Sequence, residues 1–272
     1  NVVIETGNIL FDGNYNVPVY LDYGSSNADA LKVVDLNYTK NFGDLSVTIG
    51  DSLDASSQYA GACAYSGFTD HLSDCGTGLS AGLGGDVSLS SSYDAGNGFI
   101  FGLGITGAEG GTTDGLFTKE SVDAYGVQLA YAADSYGAAV SYSTLDSDDS
   151  TGTLIGVTQD TTVWGINGYY TFGGAIESLS LGYETANPDS GADTSNWFAG
   201  VETGEVGPGS ISLGIGTSAH IADNATETMI YEASYGWDVN DGMSMTLGGF
   251  IVEQGGSLDD FTGLALTSTF SF

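Results

Sequence analysis

Tyr125-Gly-Val-Gln-Leu-Ala-Tyr131, then Ala132-Ala-Asp-Ser135, then Tyr136-Gly-Ala-Ala-Val-Ser-Tyr142 is the stretch that decides the fold. On either side of a short polar turn, Tyr125, Val127, Leu129 and Tyr131, then Tyr136, Ala138, Val140 and Tyr142, occupy every second position. Gly, Ala, Gln and Ser stand between them. Period two is strand periodicity, because successive side chains of an extended chain point to opposite faces. The pattern spreads outward to Val87–Tyr93, Phe99–Ile105, Ile211–Ile215 and Met243–Ile251, and no convincing amphipathic helix interrupts it. Alternation runs through 122–131, 135–145, 161–172, 242–253 and 261–272, about nine to twelve residues each. A tilted membrane strand needs about 9–11 residues, whereas soluble strands average about 5–6.

Connection lengths point the same way. Short turns at 94–97, 132–135, 173–175, 204–208 and 238–241 alternate with longer acidic connections at 106–121, 146–160, 185–194, 217–227 and 254–260. Outer-membrane barrels have short periplasmic turns and long external loops; a soluble sandwich shares the alternation but has no reason for this regularity. Tyr93, Tyr131, Tyr170, Phe172 and Trp237 fall beside short turns, where an interfacial girdle belongs. Leu264, Leu266, Phe270 and Phe272 share one face of the last strand, and Phe270 and Phe272 resemble the terminal assembly signal of bacterial outer-membrane proteins. The expected fold is all-β: a closed antiparallel transmembrane β-barrel over 16–272. Strands near 16–23, 30–39, 44–50, 86–93, 98–106, 122–132, 135–145, 161–172, 176–185, 195–203, 209–217, 228–237, 242–253 and 261–272 make fourteen. The segment 1–15 is either a further strand, which gives sixteen, or a periplasmic lead-in. Leu129, Val140, Leu181, Leu213, Leu247 and Leu266 should face lipid, and Gln128, Ser141, Ser180, Ser212, Ser244 and Thr267 the lumen.

The chain has 272 residues, 43 Gly, 35 Asp plus Glu, three Lys (Lys32, Lys40 and Lys119) and no Arg. A net charge of −32 leaves nothing to neutralise phosphates, so nucleic acid is excluded as a partner. A hydrophobic content of 41% argues against disorder. No run of 18 apolar residues exists, which excludes a transmembrane helix but not a barrel. The chain begins at Asn1 with no Met and no export signal, as a processed or trimmed protein would. His71 and His220 are the only histidines, and neither completes a nucleophile–base arrangement, so no catalytic site and no enzyme is expected. Gly82-Leu-Gly-Gly85 lacks the Lys of a phosphate loop. No cofactor is expected; Asp146-Ser-Asp-Asp-Ser150 and Asp259-Asp260 suit at most loosely held Ca²⁺ or Mg²⁺. Cys63 and Cys75 fit a disulfide better than a metal site, for which His71 is the only other ligand nearby.

Several strings resemble the porins of marine picocyanobacteria. They are Cys63-Ala-Tyr-Ser-Gly-Phe-Thr-Asp70, Gly115-Leu-Phe-Thr-Lys-Glu120, Asp134-Ser-Tyr-Gly-Ala138, Asp193-Thr-Ser-Asn-Trp-Phe198, Glu205-Val-Gly-Pro-Gly209, Asn240-Asp-Gly-Met243 and Thr267-Ser-Thr-Phe-Ser-Phe272. The similarity covers about residue 60 to the end. It implies passive diffusion of small solutes and inorganic ions, with iron uptake proposed for some members. Members commonly carry an N-terminal S-layer-homology anchor, which is not visible in this chain.

The functional expectation is an outer-membrane porin of a Gram-negative-type bacterium, homotrimeric by analogy, surrounded by outer-membrane lipid. The alternatives are a structural barrel for anchoring or adhesion with little conductance, and a soluble or S-layer sandwich. Asp22, Asp35, Glu184, Glu202 and Glu232 fall on the lumen parity and are candidate pore-lining acids. With no Arg to oppose them, they predict cation selectivity. The connection 51–85 is by far the longest, 35 residues, and is expected to enter the barrel as a constriction or lid, or else to make an external subunit contact.

Overall fold

The computed structural model describes residues 2–5, 21, 30–84, 87–107, 122–146, 159–256 and 258–271. The strands are β1 (Val2–Glu5), β2 (Lys32–Phe42), β3 (Leu45–Asp51), β4 (Val87–Asp94), β5 (Phe99–Gly107), β6 (Asp123–Ala132), β7 (Tyr136–Leu145) and β8 (Thr161–Thr171). Then follow β9 (Ile176–Pro188), β10 (Thr194–Thr203), β11 (Gly209–Thr217), β12 (Ile221–Ala222), β13 (Met229–Asn240), β14 (Met243–Val252) and β15 (Phe261–Phe270). All pair antiparallel with their neighbours in chain order, except that the short β12 folds back onto β10. Among the described residues no pairing joins β15 to β1.

The pleat sorts the side chains as the alternation requires. Leu129, Val140, Leu181, Leu213, Leu247 and Leu266 are all exposed on the outside. Gln128, Ser141, Ser180 and Ser212 are buried on the inside, and Ser244 and Thr267 are half-buried. An exposed apolar face this large is untenable in water and natural against hydrocarbon. Strands of nine to thirteen residues give it height. Aromatic rings mark its rim at the short-turn end, where Tyr131 meets Phe99 edge-on at 5.0 Å, Tyr170 lies tilted 4.9 Å from Phe172 and Tyr235 stacks 5.6 Å from Trp237. Tyr142 and Trp164, 4.7 Å apart, stand toward the opposite end. Phe270 lies on this outer face, 57% exposed; Phe272 lies outside the described residues.

Three boundaries differ from the sequence expectation. The strand placed at 30–39 starts at Lys32 and runs on to Phe42 against β3. The connection placed at 185–194 shrinks to 189–193, because Thr185–Pro188 continue the ladder against β8 and bury Ala186 beside Val163. The turn placed at 238–241 moves to 241–242 because a bulge near Asp238 lets β13 run on to Asn240. Of the strand expected at 16–23 only Leu21 is described; it is outside the sheet and packs into the interior.

Candidate functional site

The site is the long connection after β3, which folds against the inner wall. It runs out along one arm, turns at a short helix, α1 (Asp70–Ser73), and returns along a second arm. A disulfide, Cys63–Cys75, ties the arms together with its Cα atoms 6.3 Å apart. The outward arm touches the wall from β3, where Ser46 Oγ donates to Gln58 Oε1 (2.7 Å), to β14, where Phe68 lies against Gly248. Gln58 N donates to Ser90 Oγ (3.0 Å), Ala60 N to Gln128 Oε1 (2.8 Å) and Ala64 N to Ser180 Oγ (2.9 Å).

Three wall glutamates hold the loop most tightly. Glu232 accepts Tyr65 OH (2.7 Å), Phe68 N (2.7 Å), Thr69 N (2.8 Å) and Thr69 Oγ1 (2.5 Å). Glu202 accepts Ser66 N (2.5 Å) and Ser212 Oγ (2.9 Å). Glu184 accepts Leu79 N (3.0 Å), Ser80 N (2.6 Å) and His220 Nε2 (2.8 Å). A loop buried without secondary structure must find acceptors for its N–H groups, and the wall supplies them as carboxylates. Burial and the Glu232 carboxylate push the Tyr65 phenol well above its ordinary range, so it stays a donor.

Glycine makes the fit possible. A Cβ on Gly102 would lie 2.6 Å from the Tyr59 ring, one on Gly200 2.6 Å from Tyr65, and one on Gly248 2.5 Å from Phe68. Gly126, Gly165, Gly182 and Gly214 are similarly filled against Leu83, Ser80, Cys75 and Tyr65. The loop also plugs an apolar socket: Tyr65, Phe68 and Leu72 pack with Phe198, Ile230, Phe250, Val252 and Phe261.

Glu184, Glu202 and Glu232 thus point inward but are 0%, 7% and 5% exposed, facing the loop rather than open water, although Glu202 also borders the cavity beneath it. Asp35 also faces inward, half-buried, and accepts Asn37 Nδ2 (2.7 Å). Asp22 lies outside the described residues. Beneath the loop, toward the short turns, a cavity of about 720 Å³ opens, roofed by Ala64, Ser66 and Gly67. Ser178, Ser234, Ser244 and Thr246 line its wall, with Glu177, Glu205, Asp238 and Trp237 around its rim. The exposed side of the loop carries Asp54, Asp70 and Asp74. Among the described residues no three His, Cys, Asp or Glu are grouped to hold a metal.

The apolar socket went unread in the sequence. Its signal is there: at Trp197-Phe198, Ile230-Tyr231 and Phe250-Ile251-Val252 apolar residues follow one another without alternation, which is how a strand buried on both faces reads.

No family model and no curated protein matches the chain. Among solved structures the sheet is similar to the anion-selective porin from Comamonas acidovorans, with 18% identity and a TM-score of 0.59, over 89% of this chain and 77% of that one. It is also similar to a triple mutant of the Rhodopseudomonas blastica porin (13%, 0.57, 92% and 80%). A third similar structure is a loop-deletion mutant of OmpT, an outer membrane protein of Vibrio cholerae (11%, 0.63, 90% and 81%). The chain has the fold of outer-membrane porins.

Proposed function

We propose that this chain is an outer-membrane porin that passes small hydrophilic solutes and inorganic ions by passive diffusion. The observation that carries this is the long loop lying inside an inside-out sheet, apolar outward and small or polar inward, above a cavity of about 720 Å³. Backbone groups at a sheet edge cannot stay unpaired in hydrocarbon, so the sheet closes into a barrel of 14 or 16 strands. The loop acts as its constriction. Homotrimeric assembly and kinship with picocyanobacterial porins belong to the same reading.

Cation preference is part of the proposal. One similar structure is of an anion-selective porin, so the fold does not dictate the sign; the charges of this chain do. Water-facing Asp54, Asp70, Asp74, Glu205 and Asp238 meet no Arg, and only three Lys exist in the whole chain. A lumen field of one sign concentrates counter-ions. Planar-bilayer recording tests both statements. Stepwise conductance with a cation-directed reversal potential is expected. Intact insertion without conductance would instead support a structural barrel, and an anion-directed potential would overturn the charge argument.

A further inference from the structure

Both histidines of the chain meet at one seam. His71 stands in α1 of the long loop, with Nε2 2.7 Å from the carbonyl oxygen of Thr217, the last residue of β11. His220 lies in the connection after β11, with Nε2 2.8 Å from Glu184 Oε1 and Nδ1 3.3 Å from Thr194 Oγ1. β12 carries that connection back over the start of β10, pairing Ala222 with Thr194 and Ile221 with Ser195. Glu184 is also the acceptor for Leu79 N and Ser80 N of the long loop. Each segment therefore grips the other. The long loop holds the base of the connection through His71, and the connection holds the long loop's anchor through His220.

We propose that His71 and His220 are positioning residues, a reciprocal latch that fixes the long loop at the mouth of the barrel and releases when acid protonates His71. A carbonyl only accepts, so His71 Nε2 carries the hydrogen and Nδ1 is the bare nitrogen that acid would charge. The titratable groups facing the ring are Glu184 on β9, His220 on the connection and Asp70 on α1 itself. The Thr217 carbonyl and the two carboxylates favour the imidazolium, whereas burial and His220 oppose it. Burial is the largest effect and holds His71 below the ordinary histidine range. The latched state thus binds fewer protons than the released one. Its stability is complete above the ordinary histidine value of about 6.5 and declines as pH falls below it.

The seam is also shallow. Ser80 Oγ and Asn196 Oδ1 are buried there with no partner among the described residues, and Asn196 sits across from Glu184 in the ladder. Such groups favour opening to water. Release of α1 would lift Leu72 from its seat over Gly214 and Gly216 and expose Cys75, which is 3% accessible when latched.

The latch matters for conduction only if the chain is a porin, so the experiment has one readout that does not depend on conduction. The full chain in detergent is treated with a water-soluble phosphine, and reduction of Cys63–Cys75 is timed for wild type and His71→Gln, which keeps a donor but cannot gain charge. Near pH 7.5 the two rates should agree within about twofold. Near pH 5 wild type should be faster by about 3-fold to 30-fold, the ceiling set by a group that ordinarily titrates near 6.5. Equal rates near pH 5 would overturn the latch. His220→Gln, which removes the neighbouring ring that opposes protonation of His71, should move the acid response to higher pH than in the wild type; loss of the response would count against the proposal. In bilayers, gating transitions should increase in acid for wild type and not for His71→Gln. The same pH response in both would refute the latch, whereas silence in both would refute the porin reading and leave the phosphine rates to decide the latch.

Discussion

The two halves of the inner wall are built from the same residues and behave oppositely. Toward the long-loop end, Ser90, Ser141, Ser143, Ser180 and Glu184 are buried under the loop. Toward the short turns, Ser210, Ser244 and Thr246 border an open cavity, with Glu205 and Asp238 exposed beside it. Both sets share the inward side of the sheet or its rim. What separates them is a segment distant in sequence, 32 residues away in the pairing of Gln58 with Ser90 and 105 in that of Leu79 with Glu184. Strand parity determines which side a residue faces. Only the path of the loop determines whether that side is dry or wet, and hence whether a glutamate acts as an anchor or as a charge.

The sharpest way to break this contrast is to remove an anchor. Glu232→Ala strands four donors from Tyr65, Phe68 and Thr69 in a buried site. One buried unsatisfied group costs about 1–3 kcal/mol, and water from the cavity can reach some of these, so a loss of about 3 kcal/mol is expected. Urea-induced unfolding in detergent measures it. Glu232→Gln retains one acceptor oxygen and should lose less. If Glu232→Ala were no worse than truncation of the outward-facing Leu213, the loop would not be held as described.

A smaller effect compares the two faces at adjacent positions. Gly248 faces inward, where an added methyl would meet the Phe68 ring at 2.5 Å. Gly249 faces outward, where the nearest atom is the Gly263 carbonyl oxygen at 3.3 Å. Overpacking of a filled site costs about 1–3 kcal/mol, so Gly248→Ala should lower stability by about 2 kcal/mol. Gly249→Ala should stay within about 0.5 kcal/mol, as surface substitutions do. Equal losses at the two positions would mean that the loop does not touch the wall at β14.

How much of this was legible follows from which forces are local. Leu129, Val140 and Leu247 could be assigned to the outer face because the pleat has period two and neighbours in sequence suffice to read it. The inward parity of Glu184, Glu202 and Glu232 was equally readable. Their partners were not, since a hydrogen bond from Ser66 N to Glu202 leaves no periodic trace in either segment. The glycines opposite the loop read as a small-residue face but not as a mould for Tyr59, Tyr65 and Phe68. The inward Phe198, Ile230 and Phe250 broke the alternation, and a broken alternation does not say what covers the second face.

The smallest effect, and the one that sharpens the contrast most, is in ion selectivity. Sequence parity nominates Glu202 and Glu232 as the charges that select cations. In the structure each is turned toward loop N–H groups, whose dipoles offset much of a carboxylate's field; Glu232 is shielded from the cavity, and Glu202, 7% exposed, only borders it. Glu205 and Asp238 are exposed at the cavity rim, and among the described residues no basic side chain lines that cavity. Screening limits what any of them does: the Debye length is about 8 Å at physiological salt and shorter in seawater. The comparison should therefore be made near 10 mM salt, where that length is about 30 Å. Under those conditions Glu205→Gln with Asp238→Asn should lower the cation-to-anion permeability ratio about twofold, read as a shift in reversal potential. Glu202→Gln with Glu232→Gln should leave that ratio nearly unchanged while increasing current noise, because the loop, not the field, has been disturbed. If the second pair shifted the reversal potential more than the first, the buried glutamates would be the selective charges after all, and the division of the wall into anchoring and conducting halves would fail.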